Sequence, residues 1–400
     1  MNAEPSRVTA QNPPSRRELP NDHRAALKET AREFVRREVA PYLQDWEDAG
    51  SIPREVHLAA AKQGLLGVAF PEEVGGQGGD LLDSVAMQEA FFEAGASSGL
   101  MAALFTGGIA LPHMVSDWAT NGSPDLVDRF VRPTLAGEMI GSLAVTEPGG
   151  GSDVAGILTT ARREGDEYVV NGAKTFITSG VRADFVTTAV RTDGPGHAGI
   201  SLLVVEKGAP GFAVDRALAK MGWHCSDTAE LSFVDVRVPA GNLVGDENSG
   251  FVQIAEQFVV ERIGLAVHAY GIAARSLALT ADYVRHRETF GKPLIANQVV
   301  RHRLVEMHRQ VEVARTYTRS VAARHGEGEN MIAEACLAKQ TAVDCATYVC
   351  DQAVQLHGGT GYLHGTEVER HYRDARILPI GGGANEVLAD LAAKLLGYSS

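Results

Sequence analysis

The chain has 400 residues, 44% hydrophobic and 22% charged, with 37 Lys and Arg against 50 Asp and Glu for a net charge of −13. That length suits two or three domains with substantial cores, and an acidic chain without a basic run argues against nucleic acid or an anionic membrane. No apolar run reaches the ~18 residues expected of a membrane-spanning helix. Residues 1–20 are polar and proline-rich and read as a flexible tail, with no stretch of the secretory type. Cys225, Cys336, Cys345 and Cys350 show no CxxC spacing and read as buried free thiols of a reducing compartment. These features make a cytoplasmic protein the expectation.

Residues 21–137 read as an N-terminal α domain. Ala26, Leu27, Ala31, Phe34 and Val35 recur at helical spacing, and Ala59, Ala60, Leu65 and Leu66 suggest a second helix. The glycine-rich run from Pro71 to Gly79 must be a loop. From 138 to 248 the apolar period becomes two, which predicts a central antiparallel β-sandwich or barrel. Within it, Asn171-Gly172 between β-rich runs predicts a hairpin turn. From 249 to 400 the pattern is helical again. Leu304, Met307, Val311, Ala314 and Tyr317 form one stripe, and Cys336, Ala342, Cys345, Ala346, Val349 and Ala353 another. They predict a C-terminal α domain resembling a four-helix bundle. The fold class is α+β, in the order α, β, α.

Several segments carry residues suited to chemistry. Thr146-Glu-Pro-Gly-Gly-Gly-Ser152 can bring backbone amides close to an anion, or can be a plain glycine turn. It is neither a Walker A loop nor an esterase elbow, and no GxGxxG follows a strand. Phe251, Ile254, Phe258 and Leu265 share one helical stripe, and Glu261 and Arg262 flank its centre by about 50° each. A carboxylate and a guanidinium there must be paired, as an ion pair or with a partner on another helix, or functional, and a buried carboxylate gains basicity. Arg287 to Leu294 is a polar break between helices. Gln355 to Gly361 and Gly381 to Asn385 are glycine-rich loops that allow close backbone approach. The histidines have no metal-ligand spacing, so no metal is expected.

These segments, in this order, resemble the acyl-CoA dehydrogenase family over about residues 22–397. The residues that carry the resemblance are Ala144-Val-Thr-Glu-Pro-Gly-Gly-Gly-Ser-Asp153, Phe176-Ile-Thr-Ser179, Met221-Gly-Trp-His-Cys-Ser-Asp-Thr228, Arg287-x-Thr-Phe-Gly-Lys292 and Gln355-x-x-Gly-Gly359. The resemblance implies FAD, a homotetramer built as a dimer of dimers, and α,β-dehydrogenation of an acyl-CoA in fatty-acid β-oxidation. Electrons would pass to an electron-transferring flavoprotein. It implies that Leu143, Thr146, Gly151, Ser152, Phe176 and Thr178 line the flavin, with Ser152 also touching CoA. Arg287, Thr289, Phe290, Gln298, Gln355, Gly359, Gly383 and Asn385 would hold the adenine-dinucleotide part, partly across a subunit boundary.

Medium-chain relatives carry the catalytic glutamate where this chain has Gly382. Isovaleryl-CoA and long-chain relatives carry it directly before a helix arginine, which here makes Glu261 the base and Arg262 a residue that orients the substrate. The backbone N–H of Gly382 would then polarise the thioester carbonyl. Val259 stands where many relatives have an aspartate that helps bind CoA. The alternative reading is therefore a flavoenzyme of the same fold acting on an acyl-carrier-protein thioester, or an oxidase.

Overall fold

The computed structural model describes residues 21–398; the expected tail over 1–20 lies outside the described residues. Helices α1 (Asn21–Phe34), α2 (Leu43–Ala49), α3 (Arg54–Lys62) and α4 (Leu81–Glu93) open the chain. The shorter α5 (Ser98–Leu104), α6 (Gly107–Ala110), α7 (Pro112–Asn121) and α8 (Arg132–Leu135) follow. Ala31, Phe34 and Val35 are buried as the spacing predicts, whereas Ala26 faces solvent. Between Pro71 and Gly79 only one turn of 3-10 helix interrupts the loop. The start of α4 is fixed by a capping box. Asp80 accepts from the Asp83 N–H, and Asp83 accepts from the Asp80 N–H.

The strands are β1 (Gly141–Ala144), β2 (Thr160–Glu164), β3 (Glu167–Thr178) and β4 (Phe185–Arg191), then β5 (Ile200–Glu206), β6 (Phe212–Ala217), β7 (Thr228–Pro239) and β8 (Leu243–Val244). They form one sheet in the order β6-β7-β3-β2-β4-β5-β8, with β1 beside β4. β5 and β7 sit apart in that order yet touch, so the sheet folds over on itself. Tyr168, Val186, Leu203, Leu231 and Phe233 fill the fold. Pairing is antiparallel except where β4 meets β1 and β2. β1 enters from the helical region rather than from a hairpin partner, and runs parallel to β4 from Gly141↔Phe185.

The Asn171-Gly172 turn is not where the sequence puts it. β3 runs straight through these residues with a bulge, and the hairpin to β2 turns at Gly165-Asp166 instead. Gly172 is needed for a different reason. A Cβ there would overlap Thr159, whose Cα lies 2.6 Å away, so only glycine lets the strand pass.

The C-terminal region starts with α9 (Gly250–His286), then a two-residue-strand hairpin of β9 (Glu288–Thr289) and β10 (Lys292–Pro293). α10 (Gln298–Gly326), α11 (Ile332–His357), α12 (Gly359–Tyr362), α13 (Glu367–Ala375) and α14 (Asn385–Leu395) complete it. α9 is the pivot of the molecule. Its first turns put Ile254 and Phe258 against the sheet, and its later turns put Ile263, Val267 and Tyr270 into the bundle with α4 and α11. Among the described helices, α9 alone is long and apolar enough to cross a membrane, yet 56% of that window is buried inside the fold. It is a core helix, packed on several sides.

Candidate active site

Glu261 sits about three turns into α9, half-buried, with no hydrogen bond or ion pair to its carboxylate among the described residues. This excludes a structural pairing with Arg262. The Arg262 side chain is 7% exposed, its guanidinium lies 5.6 Å from the Phe258 ring centroid, and its Nε has no partner. Burial pushes the Glu261 carboxyl above the usual carboxylate range, against the opposing pull of Lys339 and Arg262.

The loop from Gly381 to Ala384 faces this carboxylate. Gly382 and Gly383 both adopt left-handed φ, +65° and +99°. A Cβ on Gly382 would come within 3.5 Å of Glu261 Oε1 and would overlap the Leu265 Cδ1 methyl. No side chain fits at 382, and the space it would fill is where the Glu261 carboxylate points. The Gly382 N–H makes no hydrogen bond among the described residues. A basic carboxylate and a free amide donor therefore stand side by side.

A further wall of candidate residues lies on the β domain. Leu143 lies on β1, and Thr146, Gly151 and Ser152 lie on the loop after it. A Cβ on Gly151 would press on Thr146 Cγ2 at 3.1 Å. Phe176 is 68% exposed and has φ +59°, at a bulge of β3 that turns its ring outward. A bare aromatic held in a strained conformation is available as a stacking surface. Thr178 is half-buried two residues on, and its carbonyl accepts from Ser142 Oγ at 2.6 Å.

A buried pair holds this wall. Lys174 Nζ donates to Glu147 Oε1 at 2.8 Å and to the Val145 carbonyl at 3.0 Å. Glu147 also accepts from the N–H groups of Leu158 at 2.6 Å and Thr159 at 2.9 Å. Burial pushes the Lys174 ammonium down to about 8 although Glu147 opposes it. Sequence reasoning gave neither residue a role. The signal was a lysine on the inward side of a β-rich run.

A separate cleft of about 560 Å³ lies where α9 ends and α11 ends, lined by Arg287, Thr289, Arg303, Gln355, Gly358 and Gly359 among others. Phe290 and Gln298 are exposed beside it rather than in its lining. Phe290 forms the tip of the hairpin with φ +54°, and its ring is fully exposed. The 26 residues from Glu261 to Arg287 span about 39 Å of helix, so this cleft and the carboxylate are remote within one chain. Asn385, at the start of α14, has a buried side-chain oxygen without a partner. An orphaned acceptor, a loop shaped by Gly151 and an exposed Phe176 fit a bulky heteroaromatic cofactor with donor groups.

Three family models match in sequence order: the acyl-CoA dehydrogenase N-terminal domain over 21–138, the middle domain over 142–236 and the C-terminal domain over 248–397. The chain is 38% identical over 373 residues to the long-chain specific acyl-CoA dehydrogenase of Rattus norvegicus, covering 92% of this chain and 85% of that one. The chain belongs to the acyl-CoA dehydrogenase family. Solved relatives agree. A putative acyl-CoA dehydrogenase from Mycobacterium smegmatis is 57% identical with a TM-score of 0.93, over 95% of this chain and 99% of that one. A probable one from Mycobacterium abscessus is 62% identical with a TM-score of 0.91, over 94% and 99%. Acyl-CoA dehydrogenases are FAD-dependent oxidoreductases, and the α+β architecture found here is theirs. Within that frame Val259 is 4% exposed in the α9 core, so it presents nothing to a CoA chain.

Proposed function

We propose that this enzyme converts a saturated acyl-CoA to the trans-2-enoyl-CoA with Glu261 as the base that takes the C2 proton. The observation that carries this reading is the unpaired, desolvated Glu261 carboxylate beside the free Gly382 N–H. The C2 proton of a thioester is weakly acidic, so its removal needs both a strengthened base and a donor at the developing enolate oxygen. Gly382 supplies the donor, and Arg262 borders the base and keeps its approach fixed. FAD, when bound, would supply the acceptor, at N5, for the hydride that leaves C3. Leu143, Thr146, Gly151, Ser152, Phe176 and Thr178 are the residues that would hold the flavin, with the exposed ring of Phe176 offering a stacking surface. Ser152 is exposed and can reach the CoA as well.

The remote cleft serves a neighbouring chain. Arg287, Thr289, Phe290, Gln298, Gln355 and Gly359 of one subunit would hold the adenine-dinucleotide part of a cofactor whose flavin another subunit would hold, while Gly383 and Asn385 would complete the grip. This division follows from the ~39 Å between the two sets and makes the dimer the minimal active unit, within a dimer of dimers. The exposed ring of Phe290 gains burial in that assembly. An electron-transferring flavoprotein is the proposed acceptor, and the cytoplasm the proposed location.

Anaerobic mixing of the FAD-loaded enzyme with acyl-CoA thioesters from C4 to C16 tests the reading. Bleaching of the flavin absorbance by at least one of them is the result expected. No bleaching by any thioester would move the assignment to an acyl-carrier-protein substrate.

A further inference from the structure

Lys339 is a buried cation that the reaction scheme leaves without a task. It lies on α11 and is fully buried. Its Nζ donates to the carbonyls of Gly381 at 2.5 Å and Gly383 at 2.6 Å. Those carbonyls flank Gly382 on both sides. The adjacent Gln340 donates to the Asn385 carbonyl at 2.8 Å, so one turn of α11 grips the whole loop.

A planar trans peptide points its C=O and its N–H in opposite directions. The N–H of Gly382 belongs to the same peptide unit as the Gly381 carbonyl. Anchoring that carbonyl on Lys339 therefore turns the Gly382 N–H away from α11. Gly382 and Gly383 have no side chains to hold them, and their φ values lie where many neighbouring conformations are open to glycine. Without an anchor this loop would sample several amide orientations. Glu261 lies close enough to feel the ammonium, although no hydrogen bond joins the two.

We propose that Lys339 is a positioning residue that aims the Gly382 amide at the enolate oxygen and keeps a fixed positive charge beside Glu261. The proposal rests on the assignment of Glu261 and Gly382 above. Burying an ammonium costs several kcal/mol, and an apolar residue of similar volume is often tolerated in such a place or even stabilising. A charge kept there suits a charge that develops nearby. The enolate is that charge. The proton leaves C2 for the Glu261 carboxylate, the electron pair moves onto the thioester oxygen, and the oxygen meets a donor held by Lys339.

The groups facing Lys339 are Glu261 and Arg262 from α9, Cys336 from its own helix, and the carbonyls of Gly381 and Gly383. Burial pushes the ammonium down to about 8, although Glu261 opposes this. In the native enzyme the rate of flavin reduction therefore falls as pH rises through about 8. A rate that climbs without a break to pH ~9.5 overturns the role, since the charge would then be unused.

The direct test is Lys339→Met beside Lys339→Gln, each with its FAD content checked by absorbance. The probe is acetoacetyl-CoA, whose C2 proton lies between two carbonyls and whose enolate absorbs in the ultraviolet. Bound to the native enzyme it ionises more readily than in water. In either variant the enolate fraction drops about tenfold or more, while the dissociation constant of a saturated acyl-CoA moves less than about threefold. Lys339→Gln, which keeps a donor, retains more enolate than Lys339→Met. An enolate fraction equal to native in a folded, FAD-bearing variant overturns the proposal. If instead the native enzyme is not bleached by any acyl-CoA, it is the assigned reaction that fails.

Discussion

As the proposed base, Glu261 must be ionised to take a proton, and its carboxyl is held above the ordinary range chiefly by burial. Activity therefore disappears on the acid side at a higher pH than an exposed glutamate would give. The acid limb of the rate of flavin reduction should titrate above pH ~4.5, moving further up once an acyl chain displaces water. A limb at or below that value would mean that Glu261 is solvated and not the base. Glu261 was legible in the sequence because a carboxylate beside an apolar stripe is costly unless it has a task. Lys339 obeys the same rule and was passed over. It stands three residues from Cys336 and three from Ala342, both fully buried, so the spacing that flagged Glu261 also flags it. The unmet acceptor of Asn385 was not legible, because partner atoms are a property of the folded loop alone.

At the scale of elements, the wall that carries Phe176 depends on the Glu147–Lys174 pair. Removing the lysine leaves a carboxylate buried with only backbone partners. Lys174→Met should cost about 3–5 kcal/mol of stability and free the segment from Val145 to Thr159. The measurement is urea unfolding beside retention of FAD through gel filtration. An unchanged midpoint with full FAD would show that the segment is held by other contacts. The β elements also show where sequence reading fails and why. Asn171-Gly172 has the composition of a hairpin turn, but the glycine serves the close passage of β3 over Thr159. Composition reports that a glycine is required, not which neighbour requires it. The hairpin β9–β10 was read as a plain break, since two residues per strand are too few to show a period. The long stripes of α10 and α11 were clear, because burial on one face repeats over many turns.

For the whole molecule, the α, β, α order was legible from the change of apolar period alone. The parallel course of β1 and the folding over of the sheet were not, as both depend on contacts far apart in the chain. The buried histidines make a prediction at this scale. Burial holds His57, helped by Arg182, and His113 down to about 4. The unfolded chain takes up protons at these sites below pH ~6.5, and the folded chain does not until about 4. The contribution of these two sites is therefore full above pH ~6.5 and falls as pH drops, by up to roughly 3 kcal/mol for each near pH 4, partly offset by Asp374, whose carboxyl burial pushes up to about 7. Urea midpoints between pH 7 and 5 check this, and a midpoint that holds or rises toward pH 5 would contradict it. Beyond stability, the account turns on one side chain. The decisive measurement is the rate of anaerobic flavin reduction in the FAD-loaded Glu261→Gln variant, with a thioester that bleaches the native enzyme. The rate should be at least about a hundredfold lower, with FAD and thioester still bound. A rate within about threefold of native would contradict it, since loss of a general base cannot leave so little trace.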